Sequence, residues 1–370
     1  ATRERRVQEV AQNASNIAKQ FGSQIFYYEL GNEPDLTFFY AGPMSEYVKG
    51  MEIIARAIKK ADPDSIVMNG GLSFAGEDGD RRSREFIKLF DKTSIDAIAY
   101  HAHGPGSVSE RNMFEKVRAE AKKWGKGDMT LVQTESGVAA STPAQLRMQA
   151  RTAIQKMTYA QSVGVPMFQW FRLFIDGGDG GYTNIINPRE PRPVILSYRT
   201  MTKTLKGLKY ARSMDVSTQE AECYAFSDNR GGDKRALVLW TNGQGGATRT
   251  LNLGAAAKDV KLLDMFGNAL PVVNSSIVTL PLDNDPVFLT WRGGDVKNIA
   301  TIPSMLEASA LSYVSPGNDK LVVTVKNPTA APLQAKLQLK AGSATGITSK
   351  AQNGLPVNIA AKGSTKIEIP

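Results

Sequence analysis

Two glutamates stand where a pair of carboxylates could share acid–base work. Glu33 sits in the string Glu29-Leu30-Gly31-Asn32-Glu33-Pro34-Asp35, directly after the apolar run Ile25-Phe26-Tyr27-Tyr28. Pro34 stops a strand and fixes the turn, because its ring locks φ and removes a donor. Asn32 offers an amide beside the carboxylate. Glu135 follows Leu131-Val132-Gln133-Thr134 and occupies the same position at the end of a later strand. A single strand-end glutamate is more often a cap or a solvated loop residue. Two of them across one mouth are what glycosidic bond cleavage needs, one as general acid and one as nucleophile. Carboxylates that close cannot easily both carry charge, so one must hold its proton, and Glu33 is expected to be that one.

The remaining candidates surround this pair. His101 and His103 are the only histidines, in the segment Asp96-Ala97-Ile98-Ala99-Tyr100-His101-Ala102-His103. On a strand, residues i and i+2 face the same side, so a metal pair has to be weighed. The sequence shows no third ligand, and hydrogen bonding to a substrate or to the nucleophile is the stronger expectation; no metal and no cofactor is expected. Asn69 follows Ile66-Val67-Met68 and is expected to face the same mouth and touch substrate. Arg172 could meet a carboxylate or hydroxyl group. Asp176-Gly177-Gly178-Asp179-Gly180-Gly181 lacks the spaced acidic ligands of a calcium loop and reads as a mobile loop.

These side chains need a scaffold that brings strand ends together. Val7, Val10, Ala11, Ala14, Ile17, Ala18 and Phe21 recur at helical spacing. The strand Ile25–Leu30 follows, then a helix with Tyr47, Met51, Ile54, Ala55 and Ile58 on one side, ended by Asp62-Pro63-Asp64. Strands at 66–68, 97–100, 131–134 and 167–170 alternate with helices near 81–91, 109–124 and 143–163. A repeat of about 35 residues suits a (β/α) barrel, although an open doubly wound sheet shares the alternation. From about residue 208 short alternating runs separated by Gly, Asn and Asp predict an antiparallel β-sandwich. The stretch from 296 onward predicts a small immunoglobulin-like module.

Composition narrows the function classes. Of 370 residues, 42% are hydrophobic and 22% charged, as in ordinary globular domains. The single cysteine, Cys223, excludes an internal disulfide framework. A formal charge of +9 could attract nucleic acid, anionic lipid or an acidic glycan. Basic and acidic residues are interspersed, however, and no nucleic-acid module accompanies the charge. No apolar run is long enough to predict a membrane span.

The string Glu29 to Asp35, with Glu135 closing a later strand, resembles clan A glycoside hydrolases. The string itself is particularly similar to family 79 (heparanase and β-glucuronidase type), and the layout with its sandwich is similar to family 39 (β-xylosidase type). The turn Asp264-Met265-Phe266-Gly267-Asn268, followed by Pro286–Leu289, resembles the sandwich appended to such barrels. The resemblance implies an α/β fold, a partial (β/α)8 TIM barrel holding strands 4–8 over residues 1–207. A β-sandwich over 208–295 and the immunoglobulin-like module over 296–370 would follow. It implies Glu33 as acid/base, Glu135 as nucleophile, His101 in the site and Trp170 as a sugar-stacking platform, for which core packing is the plainer alternative. His103 stands where a tyrosine bonding the nucleophile would be expected. The expected activity is retaining hydrolysis of a β-linked poly- or oligosaccharide, in a secreted, periplasmic or cell-surface protein. Strands 1–3 are missing from the count, so an additional N-terminal segment is expected to complete the barrel, and this chain alone is expected to be inactive. The final module is expected to be truncated. A non-catalytic carbohydrate-binding or adhesion protein on the same scaffold is the alternative, and it would predict an altered carboxylate.

Overall fold

The apolar runs of the first half form one parallel sheet, and each is followed by a helix that covers it. The computed structural model describes residues 2–172, 186–187, 190–215, 221–242, 247–272, 275–302, 306–308, 321–327, 332–337 and 355–369. The glycine-rich loop at 176–181 lies outside them. The strands are β1 (Tyr27–Leu30), β2 (Ile66–Asn69), β3 (Ala97–His103), β4 (Thr130–Gly137) and β5 (Phe168–Trp170), paired in that order. The helices are α1 (Thr2–Phe21), α2 (Met44–Ala61), α3 (Gly76–Leu89), α4 (Gly106–Lys123), α5 (Pro143–Ser162) and α6 (Pro193–Leu205), each packed on the next except α6, which closes the row against α5.

Local chemistry sets the helix ends. Thr142 Oγ1 accepts from the Gln145 amide at 3.3 Å while Gln145 Oε1 accepts from the Thr142 amide at 3.1 Å, a capping box with Pro143 in the first turn. Such a cap contributes about 1 kcal/mol. In α2, Glu46 sits in the first turn and Lys59 and Lys60 in the last, each sign matching the helix dipole. Met44, Val48, Met51, Ala55 and Ile58 form its buried stripe.

The sheet curls but does not close. Among the described residues, β1 pairs with β2 alone and β5 with β4 alone. The apolar face of α1 is only partly covered, with no strand among the described residues paired on the outer side of β1: Val10 is 50% and Ile17 44% exposed. They line an apolar groove of about 640 Å³ with Tyr27, Leu30, Met51 and Ile54.

The chain divides into two compact units, one of residues 1–206 with 263–268, the other of 207–262 with 269–370. The second unit holds only antiparallel sheets. A six-stranded sheet and a three-stranded sheet share a core that includes Leu237, Leu239, Leu289, Leu251, Val278 and Leu280. Further along, Val323, Val325, Val357 and Ile359 form a smaller core.

Candidate active site

The side-chain period of two along a strand builds the site. On β3, Ala97, Ala99, His101 and His103 share one face, while Ile98, Tyr100 and Ala102 share the other. Ala97 and Ala99 join Met68, Val132, Tyr27, Ile66 and Met167 in an apolar layer on the first face. Two residues further along that face the alanines give way to histidines. The parallel strands all end at this side, and the mouth of such a sheet is where catalytic groups gather.

A bulge aims Glu135. The register of β3 and β4 shifts after Tyr100↔Gln133 to His101↔Glu135, leaving Thr134 as the extra residue. A bulge re-aims side chains beside it, and here it sets Glu135 directly opposite His101. Glu33 reaches the same point from β1 through a turn in which its own φ is +40°. That region costs a non-glycine residue on the order of 1–3 kcal/mol and persists only where the surroundings enforce it. The enforcement is visible. Buried Arg82 donates to Pro34 O (2.9 Å), Asp35 O (3.0 Å), Tyr40 O (2.6 Å) and Gly42 O (3.2 Å). The Asp35 carboxylate, also buried, accepts from Ser73 Oγ at 2.7 Å and the Phe74 amide at 3.0 Å.

The four side chains meet. His101 Nδ1 lies 2.8 Å from Glu33 Oε1 and 3.8 Å from Glu135 Oε2, and His103 Nε2 lies 3.2 Å from Glu135 Oε1. His101 is buried, Glu33 and Glu135 nearly so, and the His103 side chain is 44% exposed. Burial alone would push the His101 imidazole down; contacts with Glu29 and Glu33 and the charge of Glu135 outweigh it and raise the pKa to about 9. For Glu135 burial pushes upward, but the His103 hydrogen bond and the charges of His101, His103 and Arg172 hold the carboxyl below its usual range. The result is an ionised Glu135 beside a protonated His101.

Several supporting residues are not evident in the sequence. Glu29 Oε1 accepts from the Gly71 amide and from Thr134 Oγ1, both at 2.8 Å, and stands 3.9 Å from His101 Nε2. A carboxylate inside an apolar strand was the available signal. Gly71 is needed because a Cβ there would lie 2.0 Å from His101 Nε2. Behind the sheet, the buried Lys156 ammonium donates to Ala102 O at 2.5 Å and Ser136 Oγ at 3.0 Å. Phe171 stands edge-on to His103, ring centroids 6.5 Å apart.

Not every expected residue faces the mouth. Asn69 is fully buried: its amide nitrogen donates to Gly70 O (2.7 Å) and Ala99 O (3.0 Å), and its oxygen accepts from the Ala99 amide (3.0 Å). So engaged, it braces β2 against β3 and has no surface for substrate, which corrects the expectation from sequence. Asn32 is exposed beside Glu33, and Trp170 is partly buried at the end of β5, paired with Ser136. Further metal-donor atoms do stand beside the two histidines, which corrects the expectation that they lack a third ligand. Glu33, His101, His103 and Glu135 each present a donor atom, all within 4.8 Å of one another.

No protein-family model matches the sequence, and no curated protein sequence matches it significantly. Solved structures do match its fold. A family 39 glycoside hydrolase from Bacteroides cellulosilyticus WH2 superposes with a TM-score of 0.59 at 19% identity, over 76% of this chain and 61% of that one. A glucosidase from Croceicoccus marinus gives 0.57 at 16% identity, over 78% and 75%. A family 44 xyloglucanase from Paenibacillus polymyxa gives 0.55 at 11% identity, over 76% and 70%. The chain thus spans about three-fifths of the first relative's length. The half-barrel sheet followed by antiparallel sheets is similar in fold to these family 39 and family 44 glycoside hydrolases.

Proposed function

We propose that this protein is a retaining glycoside hydrolase acting on a β-linked poly- or oligosaccharide. One observation carries the reading: a carboxylate oxygen of Glu33 and one of Glu135 lie within 4.8 Å of each other, which supports the closer of the two spacings that glycosidases use. Retaining enzymes hold their carboxyl groups about 5–5.5 Å apart, and inverting enzymes about 6.5–9.5 Å to admit a water. Glu135, kept ionised by its cationic neighbours, attacks the anomeric carbon as the bond to the aglycone oxygen breaks. Glu33 supplies the proton to that oxygen. In the second step Glu33 takes a proton from water, whose oxygen displaces Glu135 and frees the sugar.

In this reading the proton for the first step is shared with His101. The 2.8 Å contact between His101 Nδ1 and Glu33 Oε1 holds one proton between imidazole and carboxylate. Transfer to Glu33 as the leaving group departs leaves a neutral imidazole, so His101 acts as proton reservoir for the acid. In this reading Asn32, Trp170 and Arg172 bind the sugar. The open edge of β1 and the groove beside it support a further requirement. Among the described residues no strand pairs with the outer edge of β1, so we infer that an additional segment closes the sheet and that these 370 residues alone turn over poorly. The strands between 306 and 369 fit a small immunoglobulin-like module. A glycan substrate suits a secreted, periplasmic or cell-surface location; among the described residues no helix is long and apolar enough to cross a membrane.

The test is made in whichever form hydrolyses aryl glycosides, this chain alone or with the closing segment. Glu135→Gln should abolish turnover while leaving substrate binding intact. Glu33→Ala should cost about 10²–10⁴-fold on poor leaving groups and little on good ones. Equal losses on both would remove Glu33 from the acid role.

A further inference from the structure

We infer that Glu33, His101, His103 and Glu135 form a binding site for a divalent transition-metal ion of the zinc class, one that competes with glycoside turnover. The geometry is already close to that of an occupied site. Tetrahedral zinc with bonds of about 2.0–2.2 Å sets its donors about 3.3–3.6 Å apart. The separations here are 2.8 Å (His101 Nδ1 to Glu33 Oε1), 3.2 Å (His103 Nε2 to Glu135 Oε1) and 3.8 Å (His101 Nδ1 to Glu135 Oε2), the last two to different oxygens of Glu135, and one donor atom from each of the four lies within 4.8 Å of the others. To reach tetrahedral spacing, the 2.8 Å and 3.8 Å contacts need shifts of about half an ångström or less. The bulge at Thr134 and the period of β3 fix three of the four donors on adjacent strands, where a site is held more precisely than on loops.

The donor set selects the metal. Two imidazoles with two carboxylates suit zinc, cobalt, nickel or copper, whereas calcium and magnesium prefer oxygen ligands alone. The other nitrogen of His101 faces Glu29 Oε1 at 3.9 Å, beyond hydrogen-bond reach, so this oxygen, fixed by the Gly71 amide and Thr134 Oγ1, gives the imidazole a negative neighbour and not a bonded partner. The half-exposed His103 side gives the ion its way in from solvent. On binding, the proton between His101 and Glu33 leaves to solvent, and the ion takes its place. Both catalytic carboxylates are then occupied, which is why binding excludes turnover.

The test needs no turnover, so its outcome is separate from that of the glycosidase reading. The purified 370-residue chain is titrated with Co2+ and visible absorption is recorded, followed by competition with Zn2+. One Co2+ per chain should bind with the intense band of four-coordinate cobalt, displaced stoichiometrically by Zn2+ and unaffected by excess Mg2+ or Ca2+. His103→Ala and, separately, Glu135→Gln should each weaken binding by about tenfold or more, with the far-ultraviolet circular dichroism unchanged. Absence of the four-coordinate band would overturn the inference. So would Co2+ affinity unchanged in His103→Ala, which would place any bound ion elsewhere.

Discussion

At His101 three carboxylates converge on one buried imidazole, with Glu33 at 2.8 Å, Glu135 at 3.8 Å and Glu29 at 3.9 Å. Burial opposes its charge, and the carboxylates outweigh burial to raise its pKa to about 9. The ordinary value is about 6.5. A folded-state pKa above the unfolded one stabilises the fold fully below about pH 6.5, and this contribution disappears as pH rises through about 9. It amounts to at most about 3 kcal/mol. Urea unfolding from about pH 6 to about 10 should show that loss in the wild-type chain and its absence in His101→Asn. Equal pH dependence in both would remove His101 from this role. Gly71 makes a second residue-scale test. A methyl group there collides with His101 Nε2 and with Thr134 Oγ1, neither of which can yield without breaking the cluster. Gly71→Ala should destabilise by about 1–3 kcal/mol, as overpacking does, measured by chemical denaturation. A neutral substitution would mean that the imidazole is not held against this backbone.

Among the elements, α5 has the most to do with the site without touching it. Lys156 is buried on the helix-facing side of β3 and β4, where burial lowers its pKa and the charge of Glu110 raises it. Its bonds to Ala102 O and Ser136 Oγ tie together the strands that carry both histidines and Glu135. Lys156→Met removes the bonds to Ala102 O and Ser136 Oγ and the charge that favours an ionised Glu110, and should cost about 1–3 kcal/mol. Adding Glu110→Gln should recover part of that cost, and a double-mutant cycle by denaturation checks it. The sequence revealed these elements better than their contacts. Apolar runs located all five strands, and Pro143 and Asp62-Pro63 marked a helix start and a helix end. The start of α3 was read too late, near 81, because Gly76-Glu77-Asp78-Gly79-Asp80 resembles a loop. The acidic pair instead lies in the first turn of the helix, where it suits the dipole. Glu33, Glu135, His101 and His103 were legible as candidates because each ends or lies near the end of an apolar strand. The bulge at Thr134, the inward turn of Asn69 and the Glu29 support were not, since register and cross-strand bonding depend on partners far along the chain.

At the scale of the molecule the open sheet is the main fact. A parallel strand with an unpaired edge and an adjacent apolar groove invites association, and β1 has both. The 370-residue chain should therefore self-associate with rising concentration in light scattering. A segment that pairs with the open β1 edge should suppress this and raise hydrolysis of aryl glycosides together. Activity unchanged by such a segment would show that the mouth is already complete. The central claim, that Glu135 is the nucleophile of a retaining pair, is tested most directly by trapping the intermediate. A panel of 2-deoxy-2-fluoro glycosides with good leaving groups is incubated with the hydrolytically active form, and the adduct is mapped by peptide mass spectrometry. The account predicts one fluorosugar per chain, esterified to Glu135. A label on Glu33 or another residue, or turnover that inverts the anomeric configuration without labelling, would contradict it.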